Sequence, residues 1–157
     1  SSDLCDFNHT GREINRKGLI RANAKKEVIA IKKAYYAVQN LVSVFDDTWQ
    51  RCPGADVGFS ATNVASYVYQ NSATKAWLCV FWESDTRPAE SFCTRSVTLT
   101  STQTWEEPVW VDLFSGRAYA VPKEKIKRDH GRVEITDVPV YDSPTFITER
   151  RALTLAL

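Results

Sequence analysis

The sequence predicts a mainly β fold, an antiparallel β-sandwich of Ig-like, Greek-key type preceded by one amphipathic helix. Three observations lead there. From residue 57 onward, β-branched and aromatic residues dominate and fall into short runs parted by turn residues, the pattern of a sandwich or barrel and not of a parallel α/β sheet. One of these runs alternates Val97 and Leu99 with Ser96, Thr98 and Thr100, as a strand with one wet face should. Ahead of residue 50 there is a single helical stripe and nothing comparable after it.

The helix is read over residues 33–45. Ala34, Ala37, Val38, Leu41, Val44 and Phe45 recur at the i, i+3, i+4, i+7 spacing of an amphipathic helix, and Asp46-Asp47 followed by Pro53-Gly54 stop it. Such a face must be buried, yet a lone helix before an all-β region has few partners, so a neighbour is expected to be missing. Upstream, residues 15–23 read as a short extended stretch, Lys25-Lys26 as an exposed turn, and 28–31 as a brief apolar run into the helix. Strands are predicted at 57–61, 66–70, 76–83, 93–100, 108–114, 118–121, 133–135 and 145–148, separated by turn residues such as Asn71-Ser72 and His130-Gly131. Residues 113–119 form a tight hairpin pattern in which Gly116 can take positive φ. Strand parity assigns the sandwich core to Leu78, Val80, Trp82, Val97, Leu99, Val109, Val111, Leu113 and Tyr119.

Catalysis needs convergent polar groups, and the chain offers few. Glu106-Glu107, Asp46-Asp47 and Asp3/Asp6 are the close carboxylates. Adjacent residues on a strand point to opposite faces, so Glu106 and Glu107 read as a solvated rim. Arg128-Asp129-His130-Gly131 sets a His beside an Asp, but in a turn and with no nucleophile motif to serve. With 6 Gly, no Gly-rich phosphate loop is hidden. Catalytic, cofactor-binding and metal-ligating residues are therefore read as none, no cofactor is expected, and substrate-binding residues stay unassigned. The 5 Trp (Trp49, Trp77, Trp82, Trp105 and Trp110) would make a sugar platform only if two or three were coplanar and exposed. Trp77 and Trp82 share one strand on opposite faces, so at least one belongs in the core.

The 157 residues suit one compact domain plus an extra element, and 43% hydrophobic residues supply a sizeable core. A net charge of +1, with Lys and Arg spread along the chain, lacks the basic stripe of a nucleic-acid binder. No apolar run approaches the roughly 18 residues of a membrane span, and no signal peptide is evident. The 4 Cys (Cys5, Cys52, Cys79, Cys93) form no C-x-x-C pair and have no His at ligand spacing, which argues against zinc. Cys79 reads as a small buried hydrophobe, and the spacing selects no disulfide pairing. Asn8-His9-Thr10 is an N-x-T sequence, relevant only in a eukaryotic secretory setting. The absence of Met and the abrupt start at Ser1 lead to the expectation of a chain processed or cut from something longer.

Three stretches resemble a known family. Asn15-Arg16-Lys17-Gly18-Leu19-Ile20-Arg21, with Lys33-Ala34-Tyr35-Tyr36-Ala37-Val38-Gln39-Asn40 and Val44-Phe45-Asp46-Asp47, is similar to the last β/α unit of clan A (β/α)8-barrel glycoside hydrolases. Residues 108–119, PVWVDLFSGRAY, resemble a hairpin of the β-sandwich domain that follows the barrel, and 138–147, VPVYDSPTFI, resemble its final strand. The stretches occur in the expected order and together touch most of the chain. One departure is Lys33, which stands where the family usually has Pro and loosens the helix start.

The resemblance implies a remnant of the last barrel unit over residues 1–50, with its closing helix, and a C-terminal β-sandwich domain over 51–157. The fragment would be truncated, non-catalytic and structural, its partner the upstream barrel of a secreted parent, extracellular or periplasmic. That parent would cleave O-glycosidic bonds in a polysaccharide by a retaining two-carboxylate mechanism, and the fragment would meet polysaccharide only through the parent. The family's catalytic glutamates lie on earlier barrel strands, so none transfers here. The alternative is an independent carbohydrate-binding module using exposed Trp and Tyr. One side of the helix is expected to dock on residues 51–157, and the other to form a symmetric homodimer.

Overall fold

The computed structural model describes residues 5–6, 19–23, 25–85 and 95–153. In chain order these form β1 (Cys5–Asp6), β2 (Ile20–Ala22), β3 (Val28–Ile31), the helix α1 (Lys33–Val44), β4 (Trp49–Arg51), β5 (Val57–Phe59), β6 (Val64–Asn71) and β7 (Trp77–Glu83). There follow β8 (Arg95–Ser101), β9 (Pro108–Asp112), β10 (Arg117–Ala120), β11 (Ile126–Asp129), β12 (Arg132–Val140) and β13 (Thr145–Glu149). The fold is mainly β, an antiparallel β-sandwich preceded by one helix. One sheet runs β10-β9-β13-β7-β6-β4 and faces a second, β11-β12-β8-β5, with all of these pairings antiparallel. A separate sheet joins β1 to β2 in parallel and β2 to β3 antiparallel.

The two facing sheets enclose Val68, Cys79, Phe81, Trp110 and Ile147 from one side and Val97, Leu99, Val133, Ile135, Val138 and Val140 from the other, with Trp105 between them. β8 has one buried face, and its alternation follows from that. β7 (WLCVFWE) and β9 (PVWVD) are apolar on both faces. The reason is a second core on the outer face of the six-stranded sheet, formed by Trp49, Leu78, Val109, Val111, Leu113 and Phe146 beneath α1. Parity correctly separates Leu78, Val80 and Trp82 from Cys79 and Phe81, but the predicted single core merges two. Val97 and Leu99 belong to the inner one, while Leu78, Val109, Val111 and Leu113 belong to the one under the helix.

Two members of the predicted core need correction. Tyr119 is 47% exposed, because β10 is the edge strand of its sheet. Trp82 is only half-buried, on the outer face beyond the reach of α1, where its ring lies 5.7 Å from Tyr67. Val80 is likewise half-buried, at the margin of the outer core. β4 and β11 were not predicted. The first is three residues long, and the second reads Ile-Lys-Arg-Asp, so neither carries a local apolar signal.

The helix begins without a side-chain cap and with Lys32-Lys33 at the positive end of its dipole, an unfavourable start. It is held by packing instead. Ala37, Leu41, Val44 and Phe45 lie on the outer core, and Phe45 stacks on Trp49 at 6.2 Å and meets Tyr69 edge-on at 4.7 Å. Asn40 Nδ2 donates to the Leu113 carbonyl at 2.8 Å, and Trp49 Nε1 donates to the Val44 carbonyl at 2.8 Å. Gly116 is required twice over: its φ is +68°, and a Cβ there would sit 2.9 Å from Asn40 Oδ1.

Candidate functional site

At the open edge of the sandwich, between β9–β10 and β12, a cleft of about 450 Å³ is lined by Trp110, Tyr119, Tyr141, Asp112, Asp137 and Lys125, among others. Such a volume lies within the ordinary range for small-ligand pockets. The β12 wall of the cleft is a bulge. Its register with β8 breaks between Ile135 and Val138, and Asp137 takes a φ of 55°. The bulge turns Asp137 out to pair with Lys125, and Thr136 Oγ1 donates to the Lys125 carbonyl at 3.4 Å.

Three aromatic rings meet here. Trp110 lies 5.6 Å from Tyr119 and 5.7 Å from Tyr141, both tilted. Trp110 is almost fully buried, and its Nε1–H has no hydrogen-bond acceptor among the described residues. Asp112 holds the β9–β10 hairpin, accepting from the Phe114 N–H at 3.0 Å and the Ser115 hydroxyl at 2.7 Å. The Tyr141 phenol is pushed above its ordinary range, first by burial, then by the Asp112 charge and by Tyr119. The arrangement can hold a ring against an aromatic wall and offer it hydrogen bonds. Its two carboxylates, Asp112 and Asp137, are each engaged within the chain, by the β9–β10 hairpin and by Lys125.

The residues singled out from the sequence do not converge. Glu106 and Glu107 are exposed and approach Arg151 and Arg150 at 3.7 Å. Asp46 caps the turn into β4, its pKa lowered by the Thr48 hydroxyl and then by the Thr48 N–H. Asp129 and His130 pair at 2.5 Å at the tip of the β11–β12 hairpin, almost wholly in solvent. Trp49, Trp105 and Trp110 are buried, and Trp77 packs against the inner core, so no coplanar exposed Trp set forms. Cys52 and Cys79 are free thiols, and Cys79 is fully buried. Asp3, Asn8-His9-Thr10, Cys93 and the side chains of Cys5 and Asp6 lie outside the described residues. Among the described residues no group of three or more His, Cys, Asp or Glu could hold a metal ion, and no helix is long and apolar enough to cross a membrane.

Sequence reasoning missed Tyr141, the Asp137–Lys125 pair and the buried Glu149. Glu149 Oε1 accepts from the Glu106 N–H at 2.7 Å, and its Oε2 accepts from the Trp77 N–H at 3.0 Å and Arg151 at 3.1 Å. These partners are remote in sequence. The one available signal was VPVYDSP, whose Pro and Asp interrupt an apolar strand.

Compared with protein-family models, with curated proteins and with solved structures, the chain matches none.

Proposed function

We propose that this chain is a non-catalytic, structural β-sandwich of a secreted glycoside hydrolase, carried with the closing β/α unit of a (β/α)8 barrel. The observation that carries the reading is the divided helix. α1 docks one stripe on the sandwich, yet its Tyr36, Val38 and Val42 stay exposed, as do Val28, Ile29 and Ile31 of β3. Burying a side chain of this size stabilises by roughly 1.5–3 kcal/mol, so six together are costly in water and suit a covering partner. A barrel flank is the partner that the resemblance implies.

Two further features support it. β1 and β2 pair in parallel, the arrangement of neighbouring strands in β/α units. The helix motif and the hairpin motif touch, through Asn40, Leu113 and Gly116. A sandwich gripping the closing helix in this way would stiffen the barrel without entering its chemistry, which belongs to strand ends elsewhere. The parent would act on a polysaccharide outside the cytoplasm, by a retaining mechanism.

The test is the coding sequence ahead of Ser1. Repeated β/α units with a Glu at each of two strand ends support the reading. An unrelated domain, or an initiation codon directly ahead, overturns it.

A further inference from the structure

We infer that the free edge of β10 docks an extended polypeptide segment by strand addition, one that sets an apolar side chain beside Tyr119 and a carboxylate beside Arg117. This goes beyond the structural role proposed above and does not depend on it.

The backbone selects the class of partner. The Val121 N–H donates to the Pro108 carbonyl at 3.0 Å, and the register from Ala120↔Val109 to Arg117↔Asp112 is unbroken. In an antiparallel pair, successive residues alternate between bonding the residue opposite and facing away from it. Counting back from Val121, Tyr119 and Arg117 turn their backbone groups to β9, and Ala118 and Ala120 turn theirs to the far side. There β10 is the end of its sheet, and among the described residues no strand pairs with it on that side. Backbone donors and acceptors that alternate along an open edge are matched by a second extended backbone. The other ends of the two facing sheets are blunted or shorter. β11 carries Lys127, Arg128 and Asp129, and β4 and β5 have three residues each.

The side chains narrow the partner further. Tyr119 and Arg117 lie on the face of β10 that matches Trp110 and Asp112 on β9. Tyr119 is 47% exposed and rests against Trp110 at 5.6 Å, so an apolar side chain on an added strand would cover it. Arg117 is exposed opposite Asp112, whose carboxylate is taken by the Phe114 N–H and the Ser115 hydroxyl. Among the described residues the Arg117 guanidinium meets no carboxylate. Residues two apart on a strand line one face, so an acid two positions from the apolar residue would supply one.

The intact chain, labelled with ¹⁵N, is titrated with the capped peptide Thr-Thr-Val-Thr-Glu-Thr-Thr, written to run antiparallel to β10. Its counterparts carry Lys in place of Glu, or N-methyl groups on both threonines beside Val. The expected result is a saturable shift of the Ala118 and Ala120 amide signals with the Glu peptide. The Lys peptide should bind about threefold to tenfold more weakly, and the N-methylated one should leave both signals unmoved. Ala118→Pro removes an N–H that β9 does not use, where an edge strand tolerates Pro, and is expected to weaken the Glu peptide by about threefold to tenfold. Arg117→Glu, at an exposed side chain, should reverse the order of the Glu and Lys peptides, and it keeps the test decisive if Ala118→Pro does not fold. If both amide signals stay unmoved up to the solubility limit of the Glu peptide, the inference fails. It fails equally if the N-methylated or the Lys peptide binds as tightly. If the two signals shift on dilution of the chain alone, the edge pairs with a second copy and the inference fails as well. None of these outcomes bears on the coding sequence ahead of Ser1, so the two readings stand or fall separately.

Discussion

Strands β3 and β13 make an instructive pair. β3, Val-Ile-Ala-Ile, has no polar side chain, and all four of its residues are exposed. β13, Thr-Phe-Ile-Thr-Glu, carries two hydroxyls and a carboxylate, and every residue in it is buried. Composition alone would order them the other way. β13 lies between β7 and β9, with the four-stranded sheet over one face and α1 over the other. β3 is an edge of a three-stranded sheet. Burial is a property of neighbours. The sandwich supplies them to Glu149, while among the described residues none covers Ile29.

The sharpest way to break this comparison is at Glu149. Removing the buried carboxylate strands the Trp77 and Glu106 backbone N–H groups, so Glu149→Ala is expected to cost about 3–5 kcal/mol. Urea unfolding would measure it, and a loss below 1 kcal/mol would mean that the site is open to water. Trp105, fully buried in the inner core, should cost about 3–5 kcal/mol on truncation to Ala. Half-buried Trp82 is expected to cost about 1–2 kcal/mol. Equal costs would mean that the outer face at Trp82 is covered as fully as the inner core at Trp105.

The helix separates the two regions within one element. Leu41 docks on the sandwich and Val38 does not. Leu41→Ala is expected to destabilise by about 1–3 kcal/mol, and Val38→Lys by less than about 0.5 kcal/mol. The isolated chain should self-associate through Val38, Val42 and β3, as a symmetric dimer. Light scattering across a concentration series is expected to find it, and Val38→Lys with Val42→Lys should return the chain to monomer. A wild-type chain that stays monomeric at high concentration would show that the patch tolerates water.

The buried end of the comparison also sets a pH slope. Burial raises the Cys79 thiol from 9.0 to about 12. Below the unfolded value both states hold the proton and stability is flat. Above it the unfolded chain loses its proton first, so stability falls as pH rises from 9.0 toward about 12, by up to about 1.4 kcal/mol per pH unit. Cys79→Ala should remove that part of the slope, as urea midpoints for the two chains across this range would reveal. Identical slopes would mean that the thiol reaches solvent in the folded state.

The sequence by itself determined what is local. The stripe over 33–45 became α1 (Lys33–Val44), and the alternation at Val97 and Leu99 became β8, because helical and strand periods are written in neighbouring residues. Gly116 marked its hairpin for the same reason, through its own φ. Tertiary structure alone decided which layer each face meets. β7 and β9 carry apolar residues on both faces, and parity cannot say that one face meets a sheet and the other a helix. The bulge at Thr136–Asp137 is set by pairing with β8, and the partners of Glu149 lie 72 and 43 residues away. The cleft has the same origin: Trp110, Tyr119, Asp137 and Tyr141 meet only after both sheets have formed, because contacts remote in sequence leave no period to read.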